Sequence, residues 1–178
     1  SSPTAGTCTL WWGLRRWKAA ESTLQAEHDL ASLADRVRKH FDDGCYACGR
    51  SNPIGLGIDG FRLDGDTLVA DFMPDAHHRG GPGILHGGII AAALDEILAW
   101  AGMVTEKIVV VTATLDIRYR KPVMLDGRSL ALSGRVVDRH GRKVRLAGSL
   151  LADGVEAATA TGLYVATHDL AQLLGEPV

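Results

Sequence analysis

His86-Gly87-Gly88 stands directly ahead of an apolar stretch that carries two adjacent carboxylates, Asp95 and Glu96. Two glycines at a helix start let another group approach backbone N–H donors that the helix leaves unpaired. The helix dipole adds positive potential there, favouring an anion or a developing oxyanion. Acyl transfer needs such donors about 3 Å from the carbonyl oxygen as it gains charge. A carboxylate on the same apolar helix would activate water or attack the carbonyl directly. Gly87 and Gly88 are thus candidate oxyanion donors, and Asp95 a candidate base or nucleophile. The competing reading makes the glycines packing devices and Asp95 a solvent-facing residue, and spacing alone does not separate the two. Glu96 competes for the same role. Neighbouring helix positions differ by about 100°, so only one of the pair faces a given pocket.

Other residues carry weaker signals. His86 suits a general acid, a pocket wall or a helix-entry residue, and the structural or pocket-shaping roles are favoured. His77 and His78 lie in a loop rich in Gly, Pro and His, from Pro74 to Leu85, and are candidates for lining an entrance. Cys45-x-x-Cys48 raises zinc, but a structural zinc site takes four ligands, commonly from two such pairs. Only Cys8 and scattered histidines such as His40 remain to complete one, and the Trp-Cys-Gly context of a redox motif is absent. The expectation is a plain turn with buried thiols, with no metal and no cofactor. Arg118, Arg120 and Lys121, and separately Arg139, Arg142 and Lys143, read equally as phosphate contacts or as a solvated strand edge and turn.

Elements must position these groups. The 178 residues fit one domain with a terminal appendage, and 46% hydrophobic against 22% charged residues is ordinary for a folded chain. Basic and acidic residues number 19 and 21, which removes the usual case for nucleic-acid binding. No apolar run approaches the roughly 18 residues that cross a bilayer. The apolar stretch after Cys8 precedes Arg15 and Arg16 instead of following them, which makes a poor signal peptide. Three cysteines cannot all pair, so a reducing, cytoplasmic setting is expected. Glycine is the unusual count, 21 residues, and only Gly6 and Gly13 fall before residue 44. Leu30, Leu33, Ala34, Val37 and Phe41 form a helical stripe before Gly44, while Trp11, Trp12 and Trp17 are available for docking. Residues 1–43 therefore read as a helical N-terminal extension and 44–178 as the main domain.

Leu56 to Leu63 and Thr67 to Met73 are strand candidates around the turn Asp64-Gly65-Asp66. The stretch from His86 to Gly102 is an alanine-rich helix of about four turns, too apolar to lie on a surface. Leu115, Ile117 and Tyr119 alternate with charges until Pro122. Leu130, Leu132 and Val136 mark a strand broken by Gly134. Val144, Leu146 and Leu150 mark another, and Val155 to Val165 a last one, with turns at 138–142 and Asp153-Gly154. An α+β hotdog fold, an antiparallel sheet wrapped around one central helix, accounts for this order.

His86-Gly-Gly, Asp95 and the run Val111-Thr112-Ala-Thr-Leu-Asp-Ile-Arg-Tyr-Arg-Lys-Pro122 together resemble the PaaI-type acyl-CoA thioesterases of the hotdog superfamily. Cys45-Tyr-Ala-Cys48-Gly-Arg-Ser-Asn-Pro-Ile-Gly-Leu56 resembles a subset of that family, and the likeness spans roughly residues 44 to 166. The resemblance implies that Asp95, not Glu96, is the catalytic base or nucleophile. It likewise implies Gly87 as the oxyanion donor and Thr112 as the hydroxyl that assists the carboxylate or positions water. It tips Arg142 and Lys143 towards coenzyme A. Some relatives carry Asn six residues before the histidine; Gly80 stands here, leaving a second contact to the substrate carbonyl unassigned.

The function expected is hydrolysis of an acyl-CoA thioester to free acid and coenzyme A. The alternatives are a hotdog hydratase or dehydratase acting on an acyl thioester, and a non-catalytic acyl-CoA- or protein-binding module. Gly88 and Asp95 are seven residues apart, about 10 Å along a helix axis, so one carbonyl cannot meet both ends of that span. A homodimer with shared sites resolves this, with a dimer of dimers left open. Neither nucleic acid nor membrane is an expected partner.

Overall fold

A computed structural model of the chain describes residues 24–26, 28–41 and 43–175. Cys8 and the three N-terminal tryptophans lie outside the described residues. Residues 28–40 form helix α1. Strands β1 (Asp59–Asp64) and β2 (Thr67–Phe72) follow, then a 3-10 turn at Ala76–His78 and two short strands, β3 (Arg79–Gly81) and β4 (Ile84–Leu85). Helix α2 is Gly87–Glu106. Strands β5 (Ile108–Tyr119), β6 (Leu130–His140), β7 (Lys143–Ala152) and β8 (Val155–Asp169) complete the sheet, and a short helix α3 (Leu170–Leu174) ends it.

Six strands pair antiparallel in the order β1-β2-β6-β7-β8-β5, and α2 lies in the concave face. This is the hotdog arrangement. The first hairpin turns on Gly65 at φ 62°, with Asp64 opposite Thr67. The strand expected from Leu56 begins three residues later, because the backbone N–H groups of Leu56 and Ile58 donate to Tyr46 and Ala47. Gly134 does not break a strand. It lies inside β6 opposite Gly148 of β7, where a Cβ would come 2.8 Å from the Ile97 carbonyl oxygen. The pair lets the backbone of α2 settle onto the sheet. Leu94, Ile97 and Leu98 are fully buried there against Leu68, Leu132 and Leu146.

The helix is longer than expected, 20 residues, with a mean hydropathy of 1.5 over its most apolar stretch. By length and composition alone such a helix could cross a membrane, contrary to the expectation from apolar runs. The sheet covers it instead. On α1, Leu30, Leu33, Ala34 and Val37 are buried and share the core, whereas Phe41, expected on the same stripe, is 47% exposed. Helical residues end at position 40, which takes Phe41 out of register. The buried Arg38 guanidinium ties α1 down, donating from Nε to Cys48 O (2.9 Å) and from Nη2 to Asp59 Oδ1 (2.9 Å).

Strand β5 is an edge. It pairs with β8 on one side, and from Val111 to Tyr119 most of it is exposed, with Val111 at 53% and Tyr119 at 51%.

Candidate active site

Helix α2 starts at His86, whose side chain caps it by accepting the Gly88 N–H on Nδ1 at 2.9 Å. The His86 carbonyl takes the Ile89 and Ile90 N–H groups. The Gly87 N–H is left as the first-turn amide with no acceptor among the described residues. Of the two glycines expected to donate to a carbonyl, Gly88 is already engaged by His86 and Gly87 is not. The Gly87 carbonyl accepts the Tyr119 hydroxyl at 2.8 Å, which joins the start of α2 to the end of β5. Gly80 has a packing reason. A Cβ there would lie 3.0 Å from His86 Cα, so a side chain at this position requires the β3–β4 strap and the histidine to separate by a few tenths of an ångström.

Two turns further along, Asp95 is half-buried, with its carboxyl towards β5 and β8. Thr112 Oγ1 donates to Asp95 Oδ1 at 2.8 Å, and the Tyr164 hydroxyl donates to the same oxygen at 2.8 Å. Asp95 Oδ2 accepts nothing among the described residues. Thr112 and Tyr164 are direct register partners across β5 and β8, which is why both reach one atom. Just beyond, Thr114 pairs with Leu163, so Ala113 is the extra residue of a bulge, a device that re-aims side chains beside sites. Tyr164 is fully buried, with its ring against Gly162, where a Cβ would lie 2.5 Å from Cε2. Burial, reinforced by the Asp95 charge, raises its pKa and keeps the phenol a donor. Sequence reasoning missed Tyr164. An aromatic in a strand reads as core, and only the register shows its hydroxyl.

Glu96 turns to the other side of α2. Its Oε1 accepts Trp100 Nε1 at 2.8 Å and lies 4.0 Å from Cys45 Sγ, while Trp100 stacks on Phe61 at 4.4 Å. Burial, reinforced by the neighbouring Cys45 charge, pushes the Glu96 carboxyl up to about 7 against the donors that lower it. Within the Cys pair, the Cys48 thiol donates to Cys45 and draws it down to about 5, while Cys48 itself rises. Both cysteines are free. That Glu96 meets the cysteines was not read from the sequence.

None of the remaining candidates hydrogen-bonds to Asp95 among the described residues. His78 is buried as part of a capping box with Asp75, and its carbonyl accepts the His86 N–H; His77 is exposed. Arg142, in the β6–β7 turn, donates from Nε to Ala166 O at 2.8 Å. Lys143 precedes the buried Val144, so alternation sends it to the outer face of the sheet. Arg120 pairs with Glu156 at 2.8 Å, while Lys121 has no ion-pair partner among the described residues. Arg120 and Lys121 line a groove of about 300 Å³ with Gly87, Ile90 and Tyr119, at the open start of α2.

Residues 82–151 match the profile of the thioesterase superfamily. The fold recurs across the chain in a solved structure described as a thioesterase superfamily protein, 22% identical, covering 93% of this chain and 94% of that one with a TM-score of 0.63. A thioesterase superfamily protein of Shewanella loihica is 29% identical over 66% of this chain and 96% of its own, with a TM-score of 0.55. A Streptococcus mutans protein solved bound to acetyl CoA is 20% identical over 67% of this chain and 96% of its own, with a TM-score of 0.59. Residues 82–151 are thus similar to the thioesterase superfamily, and the chain as a whole has the hotdog fold.

Proposed function

We propose that the protein is an acyl-CoA thioesterase of PaaI type, working as a homodimer in a reducing cytoplasm. The observation that carries this reading is the Asp95 carboxylate, with one oxygen held by two hydroxyls and the other unengaged. Asp95 Oδ2 takes a proton from water as the water oxygen bonds to the thioester carbon. The Gly87 N–H receives the carbonyl oxygen as it becomes an oxyanion. Collapse breaks the C–S bond, and the coenzyme A thiolate leaves and takes up a proton. Gly88, whose N–H donates to His86, shapes the helix entry and does not donate to the substrate. The groove at Arg120 and Lys121 suits the coenzyme's phosphates, beside the positive end of α2. The acetyl-CoA complex of the Streptococcus mutans protein supports the ligand class.

Gly87 and Asp95 are eight residues apart, about 12 Å along one helix, so each site takes Gly87 from one protomer and Asp95 from the other. The exposed β5 edge beside Thr112 and Tyr119 suits pairing with a second copy, since a long open edge with exposed apolar side chains is otherwise an aggregation hazard. Two measurements test the reading. Thiol release over a panel of acyl-CoA esters gives hydrolysis, whereas enoyl consumption without thiol would give the hydratase, and binding without either a non-catalytic module. In the second, Asp95→Asn is paired with Gly87→Pro. His86 has ψ 134°, an extended conformation compatible with a following proline, and proline is tolerated at the first helical position. Each homodimer loses activity, and the heterodimer, with one intact site of two, recovers about half of wild type. A folded heterodimer as inactive as its parents rejects the shared site.

A further inference from the structure

We propose that Cys45, Cys48 and Glu96 form a divalent-metal site, zinc by preference, on a face of α2 about 100° round from Asp95. The two Sγ atoms and a Glu96 oxygen all lie within 4.8 Å of one another, so one ion at the usual bond lengths of about 2.0–2.3 Å reaches all three with small side-chain adjustments. The cysteines come from a loop and the carboxylate from the central helix, with Cys45 and Glu96 51 residues apart, so their convergence is a product of the fold.

The loop is held in place before any ion arrives. All four carbonyls from Cys45 to Cys48 are engaged: Cys45 O by the Gly49 N–H, Tyr46 O by Leu56, Ala47 O by Ile58, and Cys48 O by the buried Arg38 guanidinium. Gly49 is required for this turn, because a Cβ would strike Asp43 O and the Cys45 backbone. Glu96 is oriented in turn by the Trp100 indole N–H, itself fixed by stacking on Phe61. Ligands held by hydrogen-bonding neighbours are how metal sites are tuned.

The chemistry of the donors selects the ion. Thiolates favour soft or borderline cations, and a carboxylate beside them suits zinc better than copper(I). A disulfide would use both cysteines and give Glu96 no partner but Trp100. Three protein ligands leave a fourth position, and beside the cluster lies a cavity of about 480 Å³ lined by Phe41, Ala99, Met103 and Val110. A fourth ligand, water or a small donor molecule, would enter from there.

The test uses the full chain carrying Cys8→Ser, so that Cys45 and Cys48 are its only thiols. After treatment with chelating resin and addition of Zn²⁺, gel filtration followed by elemental analysis should find about one zinc per chain. Co²⁺ in its place should give a near-ultraviolet thiolate-to-metal band and the visible bands of a tetrahedral ion, both removed by EDTA. Replacing both cysteines by serine should abolish binding. Glu96→Gln, which keeps the shape and can still accept from Trp100, should raise the apparent Kd roughly tenfold to a hundredfold. The Co²⁺ spectrum of the protein with Cys45, Cys48 and Glu96 intact decides the matter even if those variants misfold. Absence of bound zinc and of the thiolate band overturns the proposal. So does undiminished binding in a folded variant lacking both cysteines, or affinity unchanged in Glu96→Gln. Isolation of Cys45 and Cys48 as a disulfide that reduction and Zn²⁺ do not convert to a metal complex overturns it equally.

Discussion

Asp95 and Glu96 are consecutive residues on one helix, both half-buried and both acidic, yet they belong to different halves of the molecule. Asp95 looks towards β5 and β8, where two neutral hydroxyls converge on one of its oxygens and the free sheet edge lies beside it. Glu96 looks towards the N-terminal loop, where its neighbours are an indole and two thiols, and where α1 and Arg38 close the back. A rotation of about 100° separates a carboxylate equipped to act on a ligand at an open edge from one enclosed among groups that alter its own protonation. What surrounds a side chain, not its type, assigns the role.

The largest effect should come from breaking the Asp95 side. Asp95→Asn should lower kcat at least a hundredfold with the fold intact, since a general base contributes about 10²–10⁴. Glu96→Gln should cost less than about tenfold in the same assay. Thiol-release kinetics on both variants check this, and the reverse order would move the assignment one residue along the helix.

A smaller loss should follow when the donors are removed and the carboxylate is kept. Tyr164→Phe and Thr112→Val should each lower kcat by about five- to tenfold, the worth of roughly 1 kcal/mol per hydrogen bond. KM should move by less than about twofold. Because both donors share one oxygen, the double variant should fall short of or exceed the product of the singles, and a double-mutant cycle reads that coupling. Simple multiplication would show that the two hydroxyls act independently.

The smallest effect distinguishes the Glu96 side by pH. Its folded pKa, about 7, is above the ordinary 4.5, so the folded state holds a proton that the unfolded chain has released between those values. Stability from this group is therefore full below pH 4.5 and declines as pH rises towards 7. With metal removed by chelator, the wild-type Tm should fall over that window relative to Glu96→Gln, and differential scanning fluorimetry at matched pH checks it. Parallel curves would mean that Glu96 titrates normally.

Much of the fold and part of the site were legible in the chain. The alternating strands, the turns at Gly65 and Gly141 and the apolar helix follow from periodicity and turn chemistry, so the hotdog arrangement could be expected. Asp95 was reachable as a candidate by spacing and resemblance together, and Thr112 by resemblance alone. Tyr164 was not, because its hydroxyl acts through a strand register that pattern alone leaves open. The meeting of Cys45 with Glu96 depends on how a loop folds back over α2. Gly134 misled because a strand glycine reads as an interruption, while here it marks where a helix backbone comes close. Lys143 is a different case, since its neighbour Val144 already implied that it points outward.

Lys107 is the sole residue between α2 and β5, and it turns the chain in the left-handed conformation at φ 54°. The helix bearing Asp95 and the strand bearing Thr112 are thus two arms of one corner, and their contact spans 17 residues, against 51 for Cys45 with Glu96 and 69 for Tyr164 with Asp95. Loop-closure entropy grows as the logarithm of the span, so the two longer contacts cost about 1 kcal/mol more to close than the corner does. In chain entropy the Asp95–Thr112 corner is the segment least dependent on the rest of the molecule, and the Tyr164 and cysteine contacts are closures made around it.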